Sequence, residues 1–104
     1  MKKYTFFLGL NDKDTKTQLV RNEDALFDVR EAVAQNLWWW TVTECNWVFK
    51  HEDWTIVDEN SLRIETLWFN EDQTIYQRFA LYLKVKFNQE SVLMEVSEVD
   101  AQFI

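Results

Sequence analysis

The chain has 104 residues, 47% of them apolar and 28% charged, with a net charge of −7. That length and apolar content suit one compact domain, residues 1–104, with a core that needs no metal or disulfide, and they argue against disorder. One Gly, no Pro, one Cys and one His leave little from which phosphate loops, zinc sites or nucleophilic triads are built.

In chain order, Lys3–Leu10 reads as a strand, with Tyr4, Phe6, Leu8 and Leu10 on one face and Thr5, Phe7 and Gly9 on the other. Asn11–Lys16 is a polar loop. Asn22 is placed as a helix N-cap, followed by Glu23 and Asp24, and Leu26, Val29, Val33 and Leu37 recur at helical spacing over about four turns. Trp38–Phe49 has strand composition, with a bulge expected near Glu44–Asn46.

An acidic hairpin, His51–Asn60, leads into a strand over Ser61–Phe69, whose Leu62, Ile64 and Trp68 point inward. Asn70, Glu71, Asp72 and Gln73 open a second helix. Its stripe is Ile75, Phe79, Leu83 and Phe87, widened by Tyr76 and Ala80. Ser91–Val99 is the last strand, with Val92, Met94 and Val96 inward. The order strand-helix-strand-strand-helix-strand predicts an α+β, ferredoxin-like βαββαβ sandwich: a four-stranded antiparallel sheet with two helices on one face.

Such a sheet leaves its other face uncovered, carrying Phe7, Trp39, Trp47, Phe49, Leu67, Phe69 and Leu93 among Thr5, Thr41, Thr43, Arg63 and Glu65. An apolar surface of that kind marks an interface. A fold-back of the last residues, a homodimer pairing two sheets, and a different partner protein are the three ways to cover it. Base stacking, as in RNA-recognition domains, is disfavoured, since the Gly-rich aromatic motif is absent and residues 51–104 carry the whole net charge of −7. Direct nucleic-acid binding is therefore not expected.

His51 reads as a solvated turn residue, Cys45 as an inert mid-strand thiol, Gly9 as insufficient for a phosphate loop, and Asp12-Lys13-Asp14 as a capped turn rather than a calcium loop. No catalytic residue, metal site or cofactor is expected, hence no enzyme. Trp54, set among Glu52, Asp53, Asp58 and Glu59, reads as an aromatic anchor for a basic protein surface, or else packs inward with Ile56. With an unpaired cysteine, no 20-residue apolar run and no cleavage site after Met1-Lys2-Lys3, the expected location is cytoplasmic and the expected membrane contact none.

The segments Tyr4–Lys16 and Asn88–Leu93 resemble small uncharacterised single-domain proteins of bacteria and their phages. That resemblance implies a mobile-element accessory protein. By analogy of size and charge it points to a non-enzymatic inhibitor, of the anti-CRISPR or nucleic-acid-mimic class, occupying a basic surface of a host nucleic-acid-handling protein. The alternative is a dimeric ferredoxin-like protein that encloses a small apolar ligand or a modest active site between its sheets.

Overall fold

The computed structural model describes residues 1–36, 39–68 and 73–104. The order is β1 (Lys2–Gly9), α1 (Asn22–Asn36), β2 (Trp40–Lys50), β3 (Ile56–Trp68), α2 (Thr74–Lys86) and β4 (Leu93–Glu98). The strands form one antiparallel sheet ordered β2-β3-β1-β4, the ferredoxin-like arrangement expected from the sequence.

Period-two alternation sets the two faces of β1. Tyr4, Phe6 and Leu8 are fully buried against Ala25, Val29 and Val33 of α1 and Tyr76, Phe79 and Leu83 of α2. Leu62 and Ile64 join the same cluster from β3. Phe6 sits edge-on to Phe79 at 5.2 Å, and Trp40 lies beside both rings. Tyr4 and Tyr76 stack face to face, with centroids 3.7 Å apart and an interplanar angle of 11°. The Tyr76 hydroxyl is buried and has no hydrogen-bond partner among the described residues. Burial, and then the neighbouring Tyr4, push its ionisation well above the usual phenol range.

Several expectations are corrected. β2 pairs with β3 without interruption from Trp40↔Thr66 to Lys50↔Ile56, so there is no bulge at Glu44–Asn46. β3 begins at Ile56, five residues early, because this ladder continues to the turn. Asn22 lies inside α1, and its Oδ1 accepts a hydrogen bond from Gln18 Nε2 at 2.7 Å. Ile75 is exposed, and Tyr76 takes its place in the buried stripe of α2. Leu37 and the helix opening Asn70–Asp72 lie outside the described residues, as does the Trp68 side chain. Among the described residues no helix is long and apolar enough to cross a membrane.

Two measurements test this packing. Phe6→Ala should cost about 3–5 kcal/mol in denaturant unfolding, against less than about 1 kcal/mol for the half-exposed Phe49. Tyr76→Phe should leave stability unchanged or raise it by up to about 1 kcal/mol, since it removes a buried hydroxyl with no hydrogen-bond partner among the described residues. Because burial raises the folded phenol's pKa above that of the unfolded one, the Tyr76 ionisation leaves stability unaffected at and below neutral pH and lowers it as pH rises past the ordinary tyrosine value of 10.0. Tyr76→Phe should therefore weaken the alkaline loss of stability.

Candidate functional site

The helix-free face of the sheet holds the outward residues of all four strands. Thr41, Thr43, Cys45, Trp47 and Phe49 of β2 lie opposite Glu65, Arg63, Ser61, Glu59 and Val57 of β3. Thr5 of β1 stands between Glu65 and Glu95, and Phe7 between Arg63 and Leu93. The apolar surface is thus not continuous. A polar belt of Thr41, Glu65, Thr5 and Glu95, followed by Thr43 and Arg63, separates two apolar ends.

At one end Phe7 meets Trp47 edge-on at 5.6 Å, and Phe49 leans on His51 at 5.2 Å. At the other end Trp39 and Leu67 line a cleft of about 410 Å³ with Lys3, Trp40, Thr41, Glu65, Thr66, Val99, Ala101 and Phe103. That volume falls within the range of small-molecule sites. Phe69, the sixth aromatic or aliphatic residue assigned to this face, lies outside the described residues.

The cleft combines aromatic walls with a charged floor. Trp39 and Phe103 touch at 5.2 Å. The Trp39 carbonyl accepts from Thr66 Oγ1 at 2.7 Å, which ties the start of β2 to β3. Trp40 is packed on the core, and its indole N–H is buried with no hydrogen-bond partner among the described residues. Glu65 pairs with Lys3 at 3.3 Å and with Arg63. Lys3 and Glu65 therefore place one charge of each sign in the cleft, and Arg63 backs Glu65 from the next outward position of β3. Sequence reasoning placed Trp39, Leu67 and Glu65 on this face but missed Lys3 and Phe103, which converge on them only through folding.

The acidic hairpin is shorter than the expected His51–Asn60. Its turn spans residues 51–55, with His51 N donating to Thr55 O at 2.9 Å and Trp54 N to His51 O at 3.0 Å. Asp53 is consumed by the turn: its carboxylate accepts from Thr55 N, which lowers its pKa. Trp54 is 75% exposed, so it does not pack inward; it occupies the left-handed region (φ 69°) with Lys50 Nζ 3.9 Å from its ring. Glu52 is exposed. Since β3 already includes Asp58 and Glu59, the two project from opposite faces. Asp58 accepts from Asn46 Nδ2 at 2.8 Å, and Glu59 accepts from Asn11 N at 3.1 Å. Trp54 thus stands exposed on the turn with Glu52 and Asp53, and Asp58 and Glu59 lie on the strand that follows.

Gly9 explains the position of Glu59. A Cβ at Gly9 would lie 2.7 Å from Glu59 Oε1, so the bare backbone is what lets this carboxylate reach across to Asn11. Beyond it, Asn88 Nδ2 donates to Asp12 Oδ1 at 2.7 Å and to Asp14 Oδ2 at 2.9 Å, and Gln89 Nε2 donates to Asn11 O at 2.7 Å. The Asn88 bond, then the Thr15 backbone N–H, lower the pKa of Asp12. These contacts hold the loop after β1 against the end of α2. Cys45 is half-buried, and burial pushes its thiol up, the opposite of what a nucleophile needs.

No protein-family model and no curated protein matches the chain. Two solved structures do. One is a phage SAM lyase in complex with S-methyl-5'-thioadenosine, with TM-score 0.68 and 27% identity, covering 93% of this chain and 80% of that one. The other is a phage SAM lyase in the apo state, with TM-score 0.65 and 23% identity over 92% and 78% of the two chains, which speaks to the fold alone. The first likeness overturns the expectation of a non-enzymatic inhibitor, since the protein that shares this fold almost end to end is an enzyme.

Gly9→Ala should cost about 1 kcal/mol through loss of the Glu59–Asn11 bond. In a Glu59→Ala background the same change should be nearly neutral. A double-mutant cycle by chemical denaturation measures the coupling.

Proposed function

We propose that the protein is a lyase acting on S-adenosylmethionine in the cleft between Trp39, Glu65 and Lys3. The observation that carries this reading is the pairing of aromatic walls with a charge-balanced floor, on a fold shared with a phage SAM lyase at 27% identity. The substrate has a flat purine, a sulfonium, an ammonium and a carboxylate. The aromatic rings suit the purine and the sulfonium, Glu65 the ammonium, and Lys3 the carboxylate. The chain's net charge of −7 favours approach of a substrate whose own net charge is positive.

Non-hydrolytic cleavage of the bond between sulfur and the aminobutyryl carbon sends the bonding electrons to sulfur and releases S-methyl-5'-thioadenosine. The carbon left behind is satisfied within the substrate. Its own carboxylate oxygen closes a five-membered lactone, or a proton leaves the adjacent carbon to a base as an alkene forms. The lactone route joins a carboxylate to a sulfonium carbon and cancels both charges, so a dry, apolar cleft accelerates it without a protein nucleophile. Trp40 and Leu67, with Trp39 once the substrate covers it, supply that environment, and Lys3 and Glu65 hold the reacting ends in reach of one another.

The test is to incubate the purified protein with S-adenosylmethionine and follow the products by chromatography and NMR. S-methyl-5'-thioadenosine and homoserine lactone should appear in equal amounts, and KM should rise with salt. Glu65→Ala should lower kcat/KM roughly 100-fold, equivalent to about 2.7 kcal/mol, while Trp54→Ala leaves it unchanged. Failure of the wild-type protein to form S-methyl-5'-thioadenosine would overturn the reading.

A further inference from the structure

The chain beyond β4 forms one wall of the cleft, and its construction differs from that of the other walls. Val99 N donates to Met1 O at 3.0 Å, and residues 99–104 have no regular secondary structure. Val99, Ala101 and Phe103 all line the cleft, whereas Asp100 and Gln102 do not. This alternation is that of an extended segment with one face turned to a cavity. Phe103 and Trp39 are each 62% exposed although they touch. Two large aromatic rings thus stay mostly in water at the mouth of a cleft, and apolar area of that kind gains most when a flat ligand covers it. Their separation of 5.2 Å is too small to admit a third ring between them, so they act as a single wall.

We propose that residues 99–103 are a strap that retains the purine of the ligand, with Phe103 as the residue that determines affinity for the base. This inference rests on the cleft being the nucleoside site proposed above. The strap is anchored by the Val99 backbone bond and rests beyond it on the Phe103–Trp39 contact, so ligand binding orders it further, and the energy of stacking on Phe103 goes into holding the substrate rather than into the bond-breaking step.

The experiment titrates S-methyl-5'-thioadenosine into the full chain, the Phe103→Ala variant and the Phe103→Trp variant by calorimetry. Amide hydrogen exchange of residues 99–104 is followed with and without the ligand. The expected result is a Kd raised roughly tenfold in Phe103→Ala, restored in Phe103→Trp, with slower exchange of the strap amides on binding in the unaltered chain. With S-adenosylmethionine, Phe103→Ala should raise KM and leave kcat near its original value. Because the side chain is largely exposed, the melting temperature should not change. If the unaltered chain and Phe103→Ala bind equally well, or the strap amides exchange at one rate throughout, the strap is overturned while the cleft assignment stands. No binding and no turnover by the unaltered chain overturns both.

Discussion

The central position of β1 is the constraint on which the rest of the molecule depends. It is paired on both sides, with β3 over eight residues and with β4 over six, so its backbone hydrogen bonds are spent and only its side chains can vary. Tyr4, Phe6 and Leu8 commit one face to the helices. Everything on the other face, Lys3, Thr5, Phe7 and Gly9, must then be part of an open surface. A shift of register by one residue would exchange the two sets and put Lys3 and Thr5 into the core. The same alternation that buries the core therefore delivers Lys3 beside Glu65 and leaves bare backbone at Gly9 beneath Glu59.

The two ends of the sheet are finished differently, and that difference makes one of them a site. At the end nearest Gly9, side-chain amides close the gaps: Asn88 and Gln89 bind the loop after β1, and Glu59 receives Asn11 N. These polar groups already have partners, so a ligand would gain little from them. At the opposite end the start of β2, the end of β3 and the chain after β4 meet around a cleft. There aromatic rings stay exposed and the Trp40 indole N–H is unspent among the described residues.

Local patterning explains what was legible in the sequence. Strands with strict alternation, such as Tyr4–Leu10, and the α1 stripe of Val29 and Val33 could be read directly, and short connections left one economical topology. The aromatic outer face was legible for the same reason. The extent of the hairpin was misread because its residues are mostly polar, while a continuing ladder from Lys50↔Ile56 takes Asp58 and Glu59 into β3 and sends them to opposite faces. Sequence spacing alone does not reveal where a strand begins when its first residues are as polar as a turn. Phe103 was illegible because its role depends on meeting Trp39, 64 positions away, and no periodicity links them.

The inference from missing catalytic residues to missing catalysis failed for a chemical reason. One His, one Cys and one Gly exclude mechanisms in which the protein supplies a nucleophile, a metal or a phosphate cradle. They do not exclude a reaction whose leaving group and nucleophile both belong to the substrate. On the proposed reading a sulfonium carries its own leaving group, and the carboxylate, separated by two carbons from the carbon bonded to sulfur, is the nucleophile. The protein then needs aromatic surface to exclude water and a few charges in balance to hold the ends, which are what its six Trp, eight Phe and paired Lys3, Arg63 and Glu65 provide. An acidic, aromatic-rich composition without reactive side chains is thus as consistent with this kind of catalysis as with binding. What separates the two is the geometry of the cleft, where charge of both signs lies within reach of one aromatic wall.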